Sequence, residues 1–193
     1  MRFLSHVLAV LCLIFIAGCT FQSDTILPDA KAAGDPIAGF PTSGPFKLES
    51  FDRQKSAYHY LGTMTPETMA DGRIRYTFVF EEDSKKLLLQ TKKLSDNNYL
   101  LRYADLGDGV EPNVDESALV FLTVDNGTYY VLTSLADKAL FEKVYPGAAR
   151  PAIVNDAVKL ETEAQAEQLS AFFRDHRNAF LQDQDYIHMR LLK

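Results

Sequence analysis

The sequence predicts an α+β domain: an antiparallel, meander-like sheet of about seven to nine strands, with a C-terminal amphipathic helix packed on one face. Three stretches carry that expectation. Arg73-Ile74-Arg75-Tyr76-Thr77-Phe78-Val79-Phe80-Glu81 places Ile74, Tyr76, Phe78 and Phe80 on one side and Arg73, Arg75, Thr77 and Glu81 on the other. That period of two marks a strand with one dry and one wet face. Leu119–Val124 and Thr128–Leu132 flank Asp125-Asn126-Gly127. Asn-Gly supplies the positive φ angles of a tight hairpin turn. Near the end, Thr162 precedes Gln165 at capping-box spacing, and Leu169, Phe172, Phe173, His176 and Phe180 recur at helical intervals.

From the start of the chain, Arg2 is the first charge, an apolar run spans Val7–Ile16, and Ala17, Gly18 and Cys19 close it. The run is shorter than the roughly 20 apolar residues of a membrane-spanning helix. A basic start, a short apolar middle and a small-residue exit form a cleaved export signal over residues 1–18. Ile16-Ala17-Gly18-Cys19 resembles the lipobox of bacterial lipoproteins, with Ile in place of the usual Leu. The resemblance covers only the first twenty residues. It implies that Cys19 becomes the first residue of the mature chain and carries a diacylglycerol group, commonly with a palmitate-type acyl chain on the new amine. Two or three acyl chains anchor stably where one does not. In enteric lipoprotein sorting, Asp after the cysteine retains a protein in the inner membrane. Thr20 stands there, so the resemblance favours the periplasmic face of the outer membrane.

Residues 19–45 contain Pro28, Pro36, Pro41 and Pro45 among Gly34, Gly39 and Gly44. That density defeats helix and sheet alike. The segment reads as a lipidated, flexible tether of about 25 residues, spanning roughly 25–30 Å as a coil, with Ile37 and Phe40 available to dock on the domain. Residues 46–193 form the single folded domain. Lys47–Phe51, Ala57–Leu61, Lys86–Thr91 and Tyr99–Tyr103 are further strands, with turns at Glu82-Asp83-Ser84 and Asp96-Asn97-Asn98. A short helix is expected over Leu135–Val144, and Tyr186–Leu192 reads as a final strand. A faint echo between Asn98-Tyr99-Leu100-Leu101 and Thr128-Tyr129-Tyr130-Val131 raises the possibility of two similar halves.

Composition narrows the function classes. The 193 residues carry a net charge of −6 and two cysteines, Cys12 in the signal and Cys19 at its end. The mature domain therefore has no thiol for a disulfide, a thiolate metal site or a cysteine nucleophile. An acidic balance argues against nucleic-acid binding, which wants a basic stripe. The histidines His59, His176 and His188 fit no metal-ligand spacing, and no serine-hydrolase motif is present. Asp105–Glu116 holds five carboxylates in twelve residues. Its glycines stand where an EF-hand needs ligands, so it reads as a solvated loop; whether it takes calcium is left open. No metal or other cofactor is expected.

Tyrosine is abundant, with nine residues, nearly all in expected strands. On a wet sheet face such rings form a binding platform at low entropic cost. Tyr58, Tyr60, Tyr129 and Tyr130 are the candidate binding residues. Tyr129 and Tyr130 are adjacent in a strand, so they point opposite ways. The leading expectation is a lipid-anchored, non-catalytic binding or scaffold module for an envelope protein or cell-wall partner. The alternative is a periplasmic hydrolase whose site is assembled from distant residues. A third reading is a small apolar ligand held between sheet and helix, which requires a cavity lined by Phe and Leu.

Overall fold

A computed structural model describes residues 20–23, 25–27, 32–106, 113–133, 135, 138–147, 150–154, 157–176 and 186–192. Its strands are β1 (Thr20–Gln22), β2 (Phe46–Asp52), β3 (Ala57–Thr68), β4 (Ile74–Phe80), β5 (Lys86–Ser95), β6 (Asn98–Asp105), β7 (Asn113–Asp125), β8 (Thr128–Leu132), β9 (Ala152–Val154), β10 (Ala157–Lys159) and β11 (Tyr186–Leu191). Its helices are α1 (Lys138–Val144) and α2 (Glu163–Asp175).

Strands β2 to β8 each pair antiparallel with the next in the chain, and β11 bonds to both β8 and β2. The sheet thereby closes into a barrel of eight strands. The expected open, meander-like sheet with a helix laid on one face is corrected here. Alternation in the sequence reports which side of a strand is dry, and a closed barrel interior gives the same pattern as one face of an open sheet. Ile74, Tyr76 and Phe78 of β4 point inward as the alternation required. Asn126 and Gly127 take φ angles of 50° and 77° in the β7–β8 turn.

A second layer covers part of the outer wall. β1 runs parallel to β10, meets β7 at Phe21 opposite Leu119, and β9 lies beyond β10. The two helices join this layer. Phe21, Leu100, Phe121, Leu132, Leu169 and Phe173 are all buried in the core between it and the barrel, with Phe21 edge-on to Phe121 at 5.0 Å. Each such side chain contributes about 1.5–3 kcal/mol. Thr162 caps α2 in a full capping box with Gln165. The expected extension of this helix to Phe180 falls outside the described residues beyond His176.

The segment 19–45, read from sequence as a flexible tether with Ile37 and Phe40 available to dock, is packed against the domain over much of its described length, while residues 42–45 are exposed. Phe21, Ile26, Leu27, Ile37 and Phe40 are buried. Residues 34 and 35 wedge between the ends of β4 and β5. Gly34 exchanges backbone hydrogen bonds with Ile74 at 2.9 and 2.8 Å, and the Asp35 N–H donates to the Thr91 carbonyl at 3.0 Å. A Cβ on Gly34 would stand 1.9 Å from that carbonyl oxygen, so only glycine fits the wedge. The Lys93 N–H donates to the Asp35 carboxylate at 2.7 Å. Strand β1 lies in this segment, ahead of its first proline; over residues 32–45 the prolines and glycines exclude regular strands and helices but not a fixed irregular path.

Candidate functional site

The barrel interior is built from the inward residues of all eight strands and from the wedge segment. Beyond Gly34 and Asp35 the chain turns beneath one end of the barrel and closes it. The Tyr76 hydroxyl accepts from the Ile37 N–H at 3.1 Å and the Tyr99 hydroxyl from the Ala38 N–H at 3.0 Å. Phe40 packs on Tyr129 with ring centroids 4.4 Å apart, and Gly39, at a φ of 80°, passes so close that a Cβ would lie 2.7 Å from the Tyr129 hydroxyl. Three tyrosines from β4, β6 and β8 thus hold an N-terminal plug. Burial, with the neighbouring Tyr76 and Tyr99 hydroxyls, pushes the Tyr129 phenol up to about 12.

Above the plug lies a partly open cavity of about 130 Å³. Phe40, Phe80, Leu87, Leu89, Leu101 and Met189 are among its lining, which is almost wholly apolar. Tyr76, Tyr103 and Thr133 bring the hydroxyls. Burial raises the phenols of Tyr76 and Tyr103, so both stay neutral at physiological pH. Such a space accepts an apolar group by dispersion and exclusion of water and offers no charge to stabilise a reaction. It lies within the barrel, whereas the sequence reading set it between sheet and helix. Among the described residues no cluster of three or more His, Cys, Asp or Glu is placed to hold a metal ion. Comparison with protein families, curated proteins and solved structures finds no match to this chain.

A second constellation lies on the outer wall. One row across β8, β11, β2 and β3 carries Tyr130, His188, Phe51 and Tyr58. The register sets Tyr130 opposite His188 and Phe51 opposite Tyr58. Tyr130 stacks on His188 at 5.0 Å, and His188 and Tyr58 each contact Phe51 within 5.5 Å. Tyr58 Oη and His188 Nε2 share a hydrogen bond of 2.9 Å. The Arg190 guanidinium sits 3.6 Å from the Tyr58 ring centre while donating to Glu49 at 2.8 Å. Burial, then repulsion from Arg53 and Arg190, holds the His188 imidazole below its ordinary value.

Of the candidate binding residues, Tyr58 and Tyr130 come together in this row. Tyr60 lies further along β3, with Lys47 over its ring and its hydroxyl 2.7 Å from that of Thr63. Tyr129 leaves the set: it points into the barrel, 1% exposed, as its opposition to Tyr130 requires. Cys19 and residues 107–112 of the acidic loop lie outside the described residues. His59 is exposed on β3, and His176 stacks on Phe172 at 4.2 Å just past α2. Sequence reading passed over the plug tyrosines Tyr76 and Tyr99 as site residues. It also read Tyr186–Leu192 as a strand, observed as Tyr186–Leu191, without assigning Ile187 and Met189 to a cavity, although their alternation with His188 and Arg190 was visible.

Proposed function

We propose that this chain is a lipid-anchored protein of the bacterial envelope, a non-catalytic module whose barrel takes up a small apolar group. The observation that carries the binding half is the apolar cavity inside a barrel closed at one end by its own N-terminal segment. Its volume is near the roughly 150 Å³ of a dry cavity that binds benzene, so the occupant is a small hydrocarbon or the tip of an acyl chain. The anchoring half rests on the lipobox pattern ending at Cys19, with Thr20 favouring the outer membrane over the inner. Residue Cys19→Ala should leave a precursor that takes up no radioactive palmitate.

The cavity is tested with benzene and thermal unfolding of the mature domain. A ligand bound only by the folded state raises Tm, by an amount set by its concentration relative to Kd. Val120→Phe fills the space and should abolish the rise while far-UV circular dichroism stays native. Leu89→Ala enlarges it and should keep the rise. No effect of benzene on the unaltered domain, or an undiminished rise in Val120→Phe, contradicts the proposal.

A second reading is supported by the outer aromatic row. Tyr58, Tyr130 and the adjacent Tyr60 offer ring area and hydroxyls to an envelope protein or cell-wall partner. Site-specific crosslinkers at these positions in intact envelopes should then capture a neighbour that crosslinkers at Thr65 do not. The hydrolase alternative gains no support among the described residues, since His188 is ringed by Phe51, Tyr58 and Tyr130 and its charged form is repelled by Arg53 and Arg190.

A further inference from the structure

Among the described residues three large apolar side chains are well exposed: Ile153 at 50%, Val154 at 47% and Leu192 at 40%. Two of them are neighbours on β9, a strand that, among the described residues, pairs on one side only, with β10. An apolar strand with a bare edge is a liability in water unless something covers it. The register says what is near. Val154 lies opposite Ala157, and Ala157 lies opposite Thr20; Ile153 lies opposite Val158, and Val158 opposite Phe21. Two strand spacings of about 4.8 Å separate β9 from β1. Cys19 directly precedes Thr20, and consecutive Cα atoms are about 3.8 Å apart.

We propose that the β9 edge is where the domain rests on the bilayer, with Ile153 and Val154 entering the interface beside the acyl chains on Cys19. This rests on the lipidation reading above. An anchor attached one residue before a strand of the folded layer leaves no slack, so the surface around β1 and β10 is forced against the membrane. Ile153 and Val154 alternate across β9 and flank its edge from two sides, so the edge, rather than one face of the strand, is what the anchor brings to the bilayer. Arg150, exposed just before β9, brings a positive charge to the level of the lipid phosphates. The acyl chains hold the protein; the β9 pair fixes its tilt and turns the opposite wall of the barrel away from the lipid.

The mature domain has no other thiol, so Ile153→Cys and Val154→Cys accept a single environment-sensitive dye. Thr65→Cys is the control, exposed on β3, four strands round the ring from β7. The acylated proteins are reconstituted into vesicles of phosphatidylethanolamine and phosphatidylglycerol with and without brominated acyl chains. Dye at 153 and 154 should shift to the blue and be quenched by the brominated lipid severalfold more than dye at 65. Acylated protein, verified by mass, with equal quenching at all three positions overturns the contact while leaving lipidation intact. A blue shift at 153 without quenching by lipid assigns the edge to pairing with a second copy and overturns it too. Mature protein lacking acyl mass overturns both readings.

Discussion

His188 is a titratable ring whose surroundings are set by three strands. Tyr58 bonds it, Tyr130 and Phe51 pack on it, and Arg53 and Arg190 repel its charged form. Its folded-state pKa is depressed below 6.5. The unfolded chain therefore binds a proton that the folded chain refuses as pH falls through that window. Stability owed to this group is complete above about pH 6.5 and is lost as pH falls through the folded value. His188→Phe keeps a ring in the row and removes the titration. Urea unfolding between about pH 5 and 7 should show a falling midpoint for the native chain and a flatter one for His188→Phe. Identical slopes would mean that carboxylates account for all of the pH dependence.

At the scale of the element, α2 illustrates how much one turn contributes. The Thr162 side chain accepts from the Gln165 N–H, and the Gln165 side chain accepts from the Thr162 and Glu161 N–H groups at 3.3 and 2.8 Å. Thr162→Ala should cost about 1 kcal/mol of stability by urea titration. The exposed Lys92–Glu163 ion pair at the same end should contribute far less, since solvent screens it. The capping box was legible in the sequence because every part of it is local. So was β4, whose outer face is wet and whose inner face is dry. β6 and β7 differ: Leu100 and Phe121 face the outer core while Tyr99, Leu101 and Leu122 face the barrel. Both faces are buried, so the alternation is lost and the run reads as uniformly apolar. β3 runs to Thr68, beyond the expected Ala57–Leu61, and takes in Pro66. Its pairing with β2 reaches only to Met64, so at Pro66 the strand bonds β4 alone and the missing N–H costs nothing. The outer aromatic row was half legible: the tyrosines were visible, but their meeting with His188 depends on β11 lying between β2 and β8, which no local pattern encodes.

For the whole molecule, closure and the two cores are the non-local facts. Eight short-range patterns specify strands, and only the bonds from β11 to β8 and β2 make a barrel with no free edge. The plug is equally non-local, since Gly34 is dictated by Thr91 and Ile37 by Tyr76. The inner and outer cores share one wall, β6 to β8. Leu100→Ala removes a side chain buried in the outer core, and Leu101→Ala removes its neighbour from the cavity wall. Each should cost about 2–5 kcal/mol. With a shared wall, both variants should unfold in one transition, followed coincidently by far-UV circular dichroism and tyrosine fluorescence. If the outer layer were a separate unit, Leu100→Ala would split the melt, shifting the step that reports the helices and leaving the barrel tyrosines at their original midpoint. Coincident curves for both variants place the N-terminal strand, the helices and the barrel in one cooperative structure, and the cavity then cannot open without straining the layer that carries β1.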